Sequence, residues 1–309
     1  MKKGHRKFKE GCPIHIYSKS KNSNIIFYSL EDYIFYFTLY SCLSRRYNIC
    51  VLGFCLMPNH IHSVEISGDY KLFTLFHSSL NSSFVSGYNA EHSRKGPLFQ
   101  RPFGYAPKLV AKRVRDCLSY VANNPVVGRL CDNISDYHWN LLAYYKCINP
   151  FSEKLPLRHS RYALRKANLK INAWRKADVP LDYARIKSIF HNLSSSERLQ
   201  ILDRIIYAYN FLDYHTASRY YKNSFDKMLN SFNLGGGSEY DLPDDFDDYS
   251  KYREMSGLLT GAGFDLRNCN FDNISAEEIH KMVRLLSRLN VRRRQIEKFL
   301  HLPVAAVME

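Results

Sequence analysis

Apolar and polar positions alternate in two rhythms along the first 130 residues. Leu30 to Arg46 and Tyr70 to Tyr88 repeat their apolar residues at helical spacing, whereas Cys12 to Ser18, Asn48 to Leu56 and Ile61 to Ser67 are short apolar runs of strand character. The last two runs are separated only by Met57-Pro58-Asn59-His60. Pro followed by Asn suits the central positions of a tight turn, so the spacing predicts an antiparallel hairpin. A loop containing Arg94-Lys95-Gly96-Pro97 leads to a further short strand near Leu98 to Tyr105. Val110, Val114, Cys117, Leu118 and Val121 share one face of a third helix, which Pro125 is expected to end because Pro disfavours helical geometry in the residue before it. Strands interleaved with helices around a central hairpin predict an α+β fold, an antiparallel sheet with helices packed on it.

Beyond about Pro150 the pattern becomes mostly helical. Lys154 to Lys176 is basic and interspersed with Leu, Tyr and Trp174. Ser194 with Glu197 and Ser275 with Glu278 are capping boxes that open helices, the first running to about Leu212 and the second carrying Ile279, Met282, Val283, Leu286 and Leu289 on one face. Gly235-Gly236-Gly237 and the acidic run Glu239 to Asp248 read as a linker spanning about 235–250. Arg292 to Leu300 follows as a last helix, and 275–309 has the outline of a partial helix-turn-helix or an ordinary helical hairpin, with dimerisation or contact with duplex DNA as its other uses. The expected division is 1–150 and 151–309.

Charge changes the picture of partners. The chain has 309 residues, with 44 Lys and Arg against 29 Asp and Glu, a net +15. Residues 1–150 hold 19 basic and 9 acidic residues, a net +10 of that excess. Such an excess fits a polyanion, either nucleic acid or an anionic membrane surface. The membrane reading is weak, since the basic first ten residues precede no apolar run of signal-peptide type, and Ile25 to Leu43 contains Glu31 and Asp32. Eight cysteines without a CxxC pair fit reduced thiols, and a cytoplasmic location is expected.

The sharpest local feature is His60-Ile61-His62. Histidines two apart in a strand project from one face, while Ile61 points the other way, so two imidazoles are offered to one cation. A pair of hydrogen-bonded histidines is the plain alternative. Histidine-triad hydrolases need a histidine at 64, which is Val64. On the third helix Tyr120 and Asn124 stand one turn apart, with Arg113 on the same flank. A phenol beside a ligating amide has a use: with a phosphodiester oxygen polarised by metal, the phenolate attacks phosphorus. With 23 tyrosines in the chain, packing is the competing role for Tyr120.

Leu56-Met-Pro-Asn-His-Ile-His62, Gly96-Pro-Leu-Phe-Gln100, Leu118-Ser-Tyr-Val-Ala-Asn-Asn-Pro-Val126 and Trp139, in this order and spacing, resemble the HUH single-tyrosine transposases, and within them the REP-associated tyrosine transposases of bacteria. The likeness covers roughly residues 10–147. It implies a ferredoxin-like sheet. It also implies His60, His62 and Asn124 as ligands of Mg²⁺ or Mn²⁺, and Tyr120 as the nucleophile that cleaves single-stranded DNA to a 5′-phosphotyrosine and a free 3′-hydroxyl. The partner it implies is single-stranded DNA with hairpin structure. Two departures are visible. Gln100-Arg101-Pro102-Phe103 stands where Gln-Gly-Arg-Phe is common, moving the arginine by one, and Ser63 replaces a bulky aliphatic.

Arg94, Lys95, Arg101, Lys108, Lys112, Arg113 and Arg115 flank these blocks and are candidate phosphate contacts, with Phe99, Phe103 and Tyr105 as candidate stacking platforms for bases. A solvated basic face with core aromatics is the alternative. Competing functions are a non-catalytic hairpin-binding DNA or RNA regulator, and a rolling-circle initiator or relaxase, which two neighbouring tyrosines on the third helix would favour; only Tyr120 is present there.

Overall fold

Strand β1 (Ile14–Lys19) lies at the centre of a four-stranded antiparallel sheet whose order is β2-β3-β1-β4, with β2 at Cys50–Met57, β3 at His60–Ile66 and β4 at Gly104–Pro107. Helix α1 (Leu30–Arg46) connects β1 to β2 and α2 (Tyr70–Glu91) connects β3 to β4. The β-α-β-β-α-β order with this strand arrangement is the ferredoxin-like split βαβ, so the α+β reading and its ferredoxin-like form both hold. The structure, a computed structural model, describes residues 8–100, 103–154, 160–234, 248–266 and 274–302. Pro58 and Asn59 alone separate β2 from β3, as the hairpin reading requires. The fourth strand falls later than the pattern suggested; only an isolated bridge between Ser20 and Phe99 occupies the expected start.

Side-chain alternation gives the sheet two distinct faces. On one, Phe54 of β2 packs edge-on against Tyr40 of α1 at 5.0 Å between ring centroids, and Phe76 of α2 joins them. Helix α1 is buried almost all round, including Asp32, which is why its sequence reads apolar on every side. Asp32 is satisfied where it sits: its carboxylate accepts from His92 Nε2 at 2.8 Å, from the Tyr183 hydroxyl at 2.7 Å and from the backbone N–H of Ser29 at 2.8 Å. The Ile25–Leu43 stretch is therefore interior protein, and no helix among the described residues is long and apolar enough to cross a membrane.

Helix α3 (Ala111–Val127) covers the other face, packing on β2 and β3. Gly53 allows its close approach, since a Cβ there would lie 2.8 Å from Leu118 Cδ2. Contrary to the sequence expectation, Pro125 does not end this helix. Asn124 stays helical, its amide donating to Tyr120 O at 2.9 Å, and the chain leaves through Gly128 and Arg129. Arg129 has φ 56°, and Leu130 N donates to Pro125 O at 2.8 Å, a Schellman closure.

The remaining helices are α4 (Tyr162–Lys176), α5 (Tyr183–Phe190), α6 (Ser195–Tyr209), α7 (Tyr214–Ser218), α8 (Phe225–Leu234), α9 (Tyr249–Gly261), α10 (Ala276–Leu286) and α11 (Arg293–Leu300). Both capping boxes are formed, although α6 stops three residues short of Leu212. Leu212 instead bridges Val51 at the edge of the sheet, where Asp213 N donates to Val51 O at 2.8 Å. Helices α5 and α6 pack on α1, and α8 packs on α3, so the apolar core runs without a break across position 150. The glycine run and the acidic stretch up to 247 lie outside the described residues, as does 303–309 at the end of the helix-turn-helix outline. The seven cysteines among the described residues are free thiols.

Candidate metal and nucleophile site

The α3 face of the sheet carries the chemistry. His60 and His62 project from β3, their rings 4.9 Å apart and nearly perpendicular. Antiparallel pairing sets Tyr17 opposite His62 and Lys19 opposite His60, and cross-strand partners share a face. Two residues before Tyr17, His15 therefore also belongs to this face. Its Nε2 shares a 3.0 Å hydrogen bond with His62 Nδ1. Both rings are buried, His62 at 4% exposure. Burial, followed by the neighbouring His60, His15 and Lys19, pushes the His62 pKa well below the usual imidazole value, so the ring is neutral at pH 7.

His60 is oriented from behind by Asn59. The Asn59 amide Nδ2 donates to Ser23 O at 2.8 Å, which turns Oδ1 towards His60 Nδ1 at 2.7 Å. An amide oxygen only accepts, so in the neutral ring Nδ1 carries the proton and Nε2 carries the lone pair. That Nε2 lies 3.5 Å from Asn124 Oδ1. Asn124 is fixed in the same manner, because its Nδ2 donates to Tyr120 O and leaves Oδ1 facing His60. Two electron-pair donors are thus aimed at each other. This is the arrangement that a shared cation stabilises and that a direct contact does not. Among the described residues no three His, Cys, Asp or Glu side chains group to hold a metal ion. The imidazole of His62, neutral by burial, with the imidazole of His60 and one amide oxygen would make a donor set that fits a borderline or hard divalent cation.

Tyr120 lies one turn before Asn124 and packs its ring edge-on against His62 and His15, at 5.3 and 5.8 Å between centroids. Helix α3 is held in place by α8, since Asn123 Nδ2 donates to Phe232 O at 3.0 Å. The structure thus gathers Tyr120, His60, His62 and Asn124 at one place. It adds His15, which gave no sequence signal beyond being a histidine in a strand-like run, and Lys19.

The outer candidates divide. Arg94 and Lys95 follow α2 in the loop that returns beside β1, where Gln100 N donates to Lys19 O at 2.9 Å. Arg94 donates to Asn89 Oδ1 at 3.1 Å, and Lys95 is exposed. Lys112 and Arg113 are exposed at the start of α3, Arg113 two turns before Tyr120 on the same side. Lys108, by contrast, is largely buried at 6% exposure. Arg101 lies outside the described residues. For the aromatic candidates the packing alternative fits the structure. Phe99 is buried in the core. Tyr105 pairs with Ile16, which places it on the opposite face of the sheet, and Phe103 packs on His77 of α2 at 4.3 Å. Trp139 is a core residue stacked on Tyr33.

Comparison with known proteins gives a sparse picture. No family model matches the chain, and no curated protein matches it. Among solved structures the chain is similar to one described as a REP-associated tyrosine transposase bound to a REP hairpin, with 16% sequence identity and a TM-score of 0.37, over 46% of this chain and 82% of that one.

Proposed function

We propose that the chain is a DNA strand transferase of the single-tyrosine type, acting on single-stranded DNA with hairpin structure and assisted by Mg²⁺ or Mn²⁺. The observation that carries this reading is the facing pair His60 Nε2 and Asn124 Oδ1, 3.5 Å apart, with the phenol of Tyr120 one turn away on the same helix. His60, His62 and Asn124 would hold the cation. When bound, it polarises a non-bridging phosphate oxygen and makes phosphorus more electrophilic.

The chain's own residues supply the rest. His62 stays neutral because of its burial, as a ligating imidazole requires. Where His62 Nδ1–H donates to His15 Nε2, His62 Nε2 is left as the ligating atom and His15 sets the tautomer. Tyr120 Oη forms a bond to phosphorus as the bond from phosphorus to the 3′-oxygen breaks. The phenol gives its proton to solvent and the departing 3′-oxygen takes one up. One phosphoester replaces another, so a second 3′-hydroxyl can attack the phosphotyrosine and rejoin strands without ATP. Arg113, about 10 Å along the helix from Tyr120 at 1.5 Å per residue, would mark the path of the strand with Lys112, and Arg94 and Lys95, in the loop after α2, would add further phosphate contacts.

The test is a labelled pool of single-stranded hairpin oligonucleotides in Mg²⁺ or Mn²⁺, scored for covalent adducts on denaturing gels. Wild type is expected to form adducts, with Tyr120→Phe forming none. Tight hairpin binding without an adduct in either metal would overturn the proposal in favour of a non-catalytic binder.

A further inference from the structure

Among the described residues, the C-terminal segment reaches the candidate site at Tyr249, the first residue of α9. Its hydroxyl donates to Asn59 Oδ1 at 2.8 Å, the same oxygen that receives His60 Nδ1–H, and it stands 3.4 Å from His60 Nδ1 itself. Its backbone N–H donates to Gly128 O at 3.0 Å, at the end of the helix that carries Asn124, and Gly128 N in turn donates to Asn124 O. The ring fills the space beside Gly128, where a Cβ would come within 2.7 Å of Tyr249 Cδ2 and 2.9 Å of Met57 Cε. Tyr249 is therefore a strut, 5% exposed, between the two elements that present His60 and Asn124. The docking around it is built. Asp248 pairs with Arg129 at 3.1 Å and caps α9, Gln295 of α11 donates to Asp248 O, and Tyr252 stacks on Phe299. Helix α11 is tied back to the segment before α1, where Ile25 N donates to Lys298 O at 3.2 Å and Tyr28 donates to Phe299 O.

We infer that the C-terminal segment is part of the metal-holding apparatus: Tyr249 is a positioning residue that fixes the Asn59–His60 pair against the end of α3, so that cation binding depends on α9 being docked. This rests on the assignment of His60, His62 and Asn124 as ligands. An acceptor shared by two donors holds both in place, and the groups behind a ligating histidine typically contribute about 10–100-fold to metal affinity. Tyr249 acts one step further back than Asn59, so an effect near the lower end is expected.

The experiment is a Mn²⁺ titration of the full-length protein, without DNA, followed by the electron paramagnetic resonance signal of free Mn²⁺. Tyr249→Phe keeps the ring against Gly128 and removes only the hydroxyl. It is expected to weaken Mn²⁺ binding roughly 10-fold while leaving the metal-free melting temperature unchanged. Lys251→Ala, on the same helix and away from His60, serves as the control and should bind as wild type. Binding by Tyr249→Phe within twofold of wild type, with binding lost in His60→Ala, overturns the positioning role and leaves the nuclease reading standing. An equal loss in Lys251→Ala overturns it too, since any loosening of α9 would then suffice. If His60→Ala binds as wild type does, the ligand assignment itself falls, and this inference with it.

Discussion

A histidine enters this site through strand pairing alone. His60 and His62 are visible in the sequence because a period of two puts them on one face. His15 is not: it is a lone histidine in a strand-like run, and its contact with His62 spans 47 positions of chain through the β1–β3 register. The same register hides the failure of Tyr105, which sits one position too far along β4 to share the site's face. Local chemistry was legible at residue scale, and cross-strand neighbours were not, because register depends on pairing between distant segments. If His15 sets the His62 tautomer, His15→Phe preserves the ring packing and removes the partner nitrogen. The expected outcome is Mn²⁺ binding weakened by about 10-fold or more, read by calorimetric titration; an unchanged affinity would reduce His15 to a packing residue.

Among the elements, α3 decides whether the site exists. Its apolar face was readable from the spacing of Val114, Cys117, Leu118 and Val121, and that face fixes the rotation that turns Tyr120 and Asn124 towards β3. The misreading concerned its end. Pro125 removes one N–H and crowds the residue before it, yet the helix continues because Asn124 is held by Tyr120 O and the closure lies beyond, at Gly128 and Arg129. A local rule gave way to tertiary bracing, the Asn123 contact with α8 included. The capping boxes at Ser194 and Ser275 were legible for the opposite reason, being complete within four residues. The seating of α3 on β2 can be tested at Gly53. Gly53→Val places branched atoms where a Cβ already reaches Leu118 Cδ2 at 2.8 Å. Overpacking of this kind costs about 1–3 kcal/mol, measurable by urea denaturation. Because the helix must lift to relieve it, adduct formation should fall further than the loss of folded protein accounts for.

For the whole molecule the sheet separates two polar systems that share β3. The α3 face bears the imidazoles of His15, His60 and His62, whereas the α1–α2 face buries a carboxylate, Glu65, fully excluded from solvent. Its oxygens accept from Tyr40 OH, from Ser63 Oγ at 2.6 Å and from His77 Nε2 at 2.9 Å. Burial by itself would raise the Glu65 pKa, but the adjacent His77 and these three hydrogen bonds outweigh it and hold the value below the ordinary 4.5. A depressed carboxylate pKa means that the unfolded chain binds a proton more readily than the folded one. The stabilisation is therefore complete above the unfolded value and drains away as pH falls through the lower folded one. The composition gave no hint of this, since Glu65 reads as an ordinary polar position in an alternating strand. Glu65→Gln keeps the shape, removes the titration and leaves donors short of a charged acceptor. Its stability at pH 7 should fall by about 1.5–3 kcal/mol, measured by chemical denaturation. Between pH 5 and the acid limit the gap to wild type should then narrow, because only the wild type loses this contribution there. A constant gap across that range would show that Glu65 does not titrate in the folded protein as its surroundings dictate.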